Sequence, residues 1–220
     1  MQNTQTYSDG LSSTFFGQVM AFFGLAMLSS AVGTYVGFEY ALSYIMQHPW
    51  LMFAIFGAEL ILIFTSNAWK NSDLAKPLFA LFTFLSGMTL APLLAQVAIQ
   101  MGGAIIYKAL GATAMTFIAA ALIGFRTEKN LMGMRGFLFA SLIGMLIVGI
   151  IGIFIPWSNT FEMLFSGFGV ILFAGYTMYD FQRIKYQSGM HPIDAALQLY
   201  LDIFNLFTFI LRLMMSGRNR

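Results

Sequence analysis

The sequence predicts an all-α membrane protein with seven transmembrane helices. Composition is the first reason. Hydrophobic residues make up 59% of the 220 and charged residues 9%, against about 45–50% and about 25% in soluble domains. So few charges cannot cover the surface of a soluble globule this apolar, so lipid is the expected solvent. The second reason is a set of seven apolar stretches, each near the roughly 20 residues that cross about 30 Å of hydrocarbon. The third is the polar and Gly/Pro punctuation between them. A net charge of +2 gives no footprint for nucleic acid, and the absence of Cys removes disulfides, thiolate nucleophiles and cysteine metal sites.

The spans are expected at about 15–38, 50–69, 77–100, 105–125, 136–155, 161–181 and 193–214. Residues 1–14 are polar, without Lys or Arg, and lack the positive start of a cleavable signal. They read as a cytoplasmic N-terminus, 15–214 as the transmembrane domain and 215–220 as a short basic tail. Gln47-His48-Pro49 precedes the second span. Lys70-Asn71-Ser72-Asp73 and Lys76-Pro77 follow it, and Met101-Gly102-Gly103 ends the third. Arg126-Thr127-Glu128-Lys129-Asn130, Pro156-Trp157-Ser158-Asn159 and Gln187-Ser188-Gly189 close the next three. Gly144, Gly149 and Gly152 in the fifth span, and Ser166, Gly167, Gly169, Ala174 and Gly175 in the sixth, read as close helix packing.

Orientation follows the Lys/Arg bias. Lys70, Lys76, Arg126, Lys129, Arg135, Arg183 and Lys185 fall on the N-terminal side, and Lys108, Arg212, Arg218 and Arg220 on the other. This places the N-terminus in the cytoplasm. A re-entrant last segment would return the tail to that side and sharpen the bias, so the side of the C-terminus stays open.

Ionisable groups inside a span cost about 2.5–3.5 kcal/mol each on insertion scales and mark function. Glu59 lies mid-way along the second span, Asp180 near the end of the sixth and Asp202 a third of the way into the seventh. A sixth helix ending at Asp180 would leave Asp202 about 12 Å deeper. No breaker follows Asp180 until Ser188-Gly189, and His191-Pro192 suits a helix start. Asp180 then sits about 10 Å from the turn and Asp202 about 15 Å, and the two are predicted to face each other. Two carboxylates in one low-dielectric site cannot both ionise cheaply and titrate as a unit. They can share a proton and close, lose it and repel, or transiently bind a hard cation such as Ca²⁺ through oxygen. Asn205, three residues after Asp202, shares its face and offers a carbonyl oxygen. The alternative is a satisfied polar pair that only fixes packing. Lys70 is eleven residues after Glu59, about 16 Å along the helix and too far to pair with it. It reads as an interfacial lysine or as a partner for Asp180.

Other chemistry is thin. His48 and His191 lie in predicted loops and form no zinc set. There is no Walker or dinucleotide loop. Ser86-Gly87 and Ser166-Gly167 have no His in a span to act as base. Asp73, Glu128 and Asp194 are expected to be solvated loop acids, and Arg212 to snorkel or cap the last span. No tightly bound cofactor is expected.

The stretches Gly175-Tyr176-Thr177-Met178-Tyr179-Asp180-Phe181-Gln182 and Ala195-Ala196-Leu197-Gln198-Leu199-Tyr200-Leu201-Asp202-Ile203-Phe204-Asn205-Leu206-Phe207 resemble the signature of the transmembrane Bax-inhibitor motif family, prokaryotic branch. The resemblance implies seven helices with the last one central and the other six around it. It implies a pH-sensitive Ca²⁺ leak whose paired aspartates are Asp180 and Asp202, with a buried second-helix acid at Glu59. It also implies a latch from the end of that helix to the first aspartate. The bacterial pattern has Arg there, whereas this chain has Lys70, which keeps the charge but loses the bidentate fork.

The leading expectation is therefore a passive, pH-gated cation leak and not an enzyme. A second reading is a membrane regulator that binds a quality-control protease or another membrane protein. A third is an intramembrane aspartyl protease, against which Tyr200-Leu201-Asp202 replaces the Gly-x-Gly-Asp of those enzymes. The expected setting is the cell membrane, the inner membrane in a Gram-negative source, with the chain multi-pass and monomeric in the lipid bilayer.

Overall fold

A computed structural model describes the backbone of residues 2–186 and 189–218, and the side chains of 14–186 and 189–217. The side chains of the polar start at 1–13, the end of the basic tail and Gln187-Ser188 of the stop signal thus lie outside what the structure describes. Among those described, helices connected by short turns make up the whole fold, with no strand. Two compact units are present, Met1–Gln100 with His191–Tyr200, and Met101–Met190 with Leu201–Arg220.

In the first unit, α1 (Gln2–Val36) continues through a π-helical stretch, Gly37–Ala41, into α2 (Leu42–Gln47). Then come α3 (Trp50–Phe64), α4 (Ser66–Trp69), α5 (Ala75–Thr89) and α6 (Ala91–Met101). The start of α10 (Pro192–Arg218) completes the unit. Small residues decide how α1 and α5 meet. Gly33 lies against the backbone of Phe84 and Gly87 against that of Ser30, so closely that a Cβ at either glycine would overlap main-chain atoms. In lipid, where no hydrophobic force drives helices together, such approach supplies the packing. Hydroxyls secure it, with Ser29 donating to the Ala80 carbonyl at 2.7 Å and Thr34 to that of Gly87 at 3.0 Å.

Six described helical segments are long and apolar enough to cross a membrane: Thr14–Gln47, Ala75–Met101, Ala104–Arg126, Leu131–Phe154, Asn159–Tyr186 and Pro192–Gly217. The expected second span, 50–69, is instead split. Its 15-residue α3 reaches only about 22 Å, and the helix breaks at Thr65. There the Thr65 hydroxyl donates to the Ile61 carbonyl at 2.6 Å, and the Trp69 indole N–H turns back to the Leu62 carbonyl at 3.1 Å. A break in lipid frees carbonyls that need donors, and Trp69 supplies one from inside the segment. The third span is likewise split, at Leu90. Pro92 has no N–H and its ring crowds the Met88 carbonyl, so Leu90 N bonds to the Gly87 carbonyl in a tighter turn.

The second unit holds α7 (Ala104–Arg126), a 3₁₀ turn at Leu131–Met134, α8 (Arg135–Phe154), α9 (Asn159–Tyr186) and the remainder of α10. Gly124 of α7 meets the backbone of Met178 on α9, and Gly169 of α9 takes the ring of Phe209. Leu138 and Met145 on α8 bury against Leu172 and Tyr179 on α9. Gln182 is buried and pins the α7–α8 loop, accepting from Leu131 N at 2.7 Å and donating to the Lys129 carbonyl at 2.8 Å. The turn before α10 uses Gly189 at φ 95°, a conformation that favours glycine.

Candidate functional site: two buried acidic centres

The second unit brings Asp180 and Asp202 together. Helix α9 runs past Asp180 to Tyr186 and α10 begins at Pro192, so both acids stand away from the turn, as the missing breaker predicts. Each is 4% exposed, and their carboxyl groups face one another within hydrogen-bonding reach. Asp202 Oδ2 is buried and has no hydrogen-bond partner among the described residues. The nearest cation is Arg183, one turn beyond Asp180, with Nη1 at 3.9 Å from Asp180 Oδ1. That distance is a loose charge contact and lies outside hydrogen-bond range. Sequence reasoning counted Arg183 only as a loop charge, although its i,i+3 spacing from Asp180 was a usable signal. Asn205 Nδ2 donates to the Leu201 carbonyl at 2.7 Å, which leaves Oδ1 as a spare acceptor. A protonated carboxyl donating to an ionised one satisfies this pair, whereas two ionised carboxyls have no donor between them.

Glu59 occupies the first unit. It is 8% exposed on α3, with Oε1 lacking any partner among the described residues. Its neighbours are hydroxyls. Ser86 on α5 is a near neighbour, and Tyr200 is close to Ser86 in turn. The Tyr200 hydroxyl donates to Ser30 Oγ at 3.0 Å and lies 3.3 Å from the Thr83 carbonyl. Ser86 itself lies 3.1 Å from the Phe82 carbonyl, so its single proton serves either that carbonyl or Glu59. Ser30, Thr83 and Tyr200 were not singled out for this cluster from sequence, since hydroxyls a hundred residues apart leave no local pattern.

Lys70 ends α4 with Nζ 2.6 Å from Asp194 Oδ2 in the first turn of α10. Asp194 is therefore a half-buried ion-pair partner and not the solvated loop acid expected. At α9's start, Arg212 Nη1 lies 3.6 Å from Glu162 Oε1, and the Trp157 indole donates to Glu162 Oε2 at 2.7 Å. Arg212 is thus tied to an acid rather than simply snorkelling. Among the described residues no group of three or more His, Asp or Glu forms a metal cage.

A family model described as inhibitor of apoptosis-promoting Bax1 matches residues 12–219. The chain belongs to that family. Similar bacterial proteins match it across nearly the full length. The chain is similar to an uncharacterized protein of Campylobacter jejuni, 33% identical over 211 residues, covering 94% of this chain and 90% of the relative. An uncharacterized membrane protein of Streptococcus pyogenes serotype M1 is 31% identical over 228 residues, covering 97% and 96%. An uncharacterized protein of Helicobacter pylori is 35% identical over 196 residues, covering 87% and 82%. With six apolar spans of crossing length, this Bax1-inhibitor family member is a multi-pass membrane protein.

Proposed function

We propose that the protein is a pH-sensitive passive leak for cations, Ca²⁺ foremost, gated by the Asp180–Asp202 pair. The observation that carries this reading is two buried carboxyl groups facing each other on adjacent helices. A proton shared between them holds α9 and α10 together and closes the path. Its loss sets two negative charges in contact, separates the helices and leaves oxygen ligands for a passing cation, with Asn205 Oδ1 adding a third. In this reading the chain crosses the membrane seven times, α3 and α4 together forming the second crossing, and α10 is the central helix. Its support is that α10 is the most buried of the six described spans, 44% against 39% for Ala75–Met101 and 11% for Leu131–Phe154. The N-terminus faces the cytoplasm on the Lys/Arg bias, and the protein sits in the cell membrane, the inner one in a Gram-negative source.

The test is Ca²⁺ flux into proteoliposomes as a function of pH for the parent, Asp180→Asn and Asp202→Asn. A one-proton switch moves its equilibrium by up to about tenfold per pH unit, so flux falls steeply on acidification in the parent and flattens in both variants. No flux above empty liposomes at any pH, with folded protein, defeats the leak. Facing aspartates also suit peptide hydrolysis. Cleavage of a helical substrate that both variants lose would establish that chemistry instead. Co-purification of a membrane protein that both variants retain would favour the regulator.

A further inference from the structure

The first unit contains an open cavity of about 860 Å³, bounded by α1, the α4–α5 connection and the start of α10. It has three kinds of wall. Phe22, Leu25 and Ile193 make an apolar side continuous with the span of α1. Asn71 and Ser72 make a neutral polar rim. Lys76 and Asp73 place opposite charges on that rim, and both side chains are exposed and lack an ion-pair partner among the described residues. Lys70 also lines the cavity, but Asp194 already neutralises it at 2.6 Å. His191 also lines the cavity, with Nδ1 accepting from Ile193 N at 3.2 Å, so the unpaired formal charges on the rim are one cation and one anion, three residues apart. Lys76 lies in the first turn of the 15-residue α5, whose positive end adds to its field. The cavity lies at the start of the apolar Ala75–Met101 segment, beside Lys70 and Lys76, and in the proposed orientation this is the depth of lipid headgroups.

A purely anionic headgroup would meet Asp73, and a purely apolar ligand would strand both charges. A molecule with an acyl chain, a phosphate and a nearby primary ammonium matches all three walls. We propose that this cavity binds a zwitterionic, amine-bearing phospholipid, with phosphate on Lys76, ammonium on Asp73 and an acyl chain along Phe22 and Leu25. The ammonium N–H groups donate to the Asp73 carboxylate, as a trimethylated amine cannot.

The test uses the full chain in detergent, titrated separately with dioleoyl phosphatidylethanolamine, phosphatidylcholine and phosphatidylglycerol. Retained lipid is read by native mass spectrometry and the unfolding midpoint by a thermal scan. The ethanolamine lipid is expected to be retained about fivefold over choline, the worth of a modest hydrogen bond. Asp73→Asn is expected to abolish that preference, and Lys76→Gln to weaken retention of both. Equal retention of all three lipids overturns the proposal, as does preference for the glycerol headgroup, which would indicate an anionic-lipid surface only. Unchanged retention in both variants also overturns it. The parent ranking needs no variant, and both substituted side chains are exposed, so the lipid-free midpoint checks folding. The flux assay is independent of this outcome, so the leak and the lipid site fail separately.

Discussion

Two buried acidic centres in one chain solve the same problem differently. Glu59 stands among neutral hydroxyls, Ser86 and behind it Tyr200. Hydroxyl protons rotate, so a cluster of this kind can accept from a protonated acid or donate to an ionised one. Asp180 and Asp202 face a group of their own kind, with the Arg183 cation at 3.9 Å and the Tyr176 hydroxyl in the same neighbourhood. A carboxyl pair cannot adapt by rotation, because losing its proton changes an attraction into a repulsion. In the proposed mechanism burial alone is not enough for a sensor, which also needs a partner whose interaction reverses sign on titration.

The comparison assumes that both centres are held by equally firm helix pairs, and the glycines test that first. A Cβ at Gly87 overlaps the Ser30 backbone and one at Gly124 overlaps the Met178 backbone. Gly87→Leu and Gly124→Leu should each destabilise by about 3 kcal/mol or more, since backbone cannot yield as a side chain does. Loss of monodisperse protein in detergent is the readout. Gly144 faces open space, and Gly144→Ala should stay within about 0.5 kcal/mol. Equal tolerance at all three positions would mean the close contacts are not what holds either centre.

The sharpest contrast comes from neutralising one acid at a time. Asp202→Asn should remove a pH dependence of up to about tenfold per unit, and Glu59→Gln should shift the same profile by less than about twofold. A Glu59→Gln profile as flat as that of Asp202→Asn would break the contrast and make the hydroxyl cluster part of the sensor. Tyr200→Phe removes the hydroxyl that bonds Ser30 at 3.0 Å. It should cost about 1–2 kcal/mol in thermal or denaturant unfolding while leaving the pH profile in place. A changed profile without lost stability would join the two centres functionally.

What was legible in the sequence follows from what leaves a local trace. Spans were readable because lipid demands long apolar runs, and the meeting of Asp180 with Asp202 because a helix without a breaker has a calculable length. The break at Thr65 was not readable. It depends on the Trp69 indole returning to the Leu62 carbonyl, a bond that apolar periodicity does not encode. Pro92 did announce the break at Leu90, but a single apolar run concealed it. Gln182 and Ser86 look unremarkable in sequence, because their roles are set by the Leu131 amide and by Glu59, partners brought close only by folding.

Lys70 gives the smallest expected effect and the finest test. The family resemblance points it at Asp180, whereas the structure gives it Asp194 at 2.6 Å with side chains 18% and 28% exposed. An ion pair of this exposure contributes no more than about 1 kcal/mol and weakens with salt. A double-mutant cycle with Lys70→Met and Asp194→Asn should therefore return a coupling of about 0.5–1 kcal/mol at low salt. Neither substitution should move the pH profile of flux, because the cation beside the aspartate pair is Arg183. If Lys70→Met shifts that profile while Asp194→Asn leaves it alone, Lys70 reaches the pair during gating. The responsive pair would then have a second cation besides Arg183, and Lys70 would belong to the sensor and not to the fixed part of the fold.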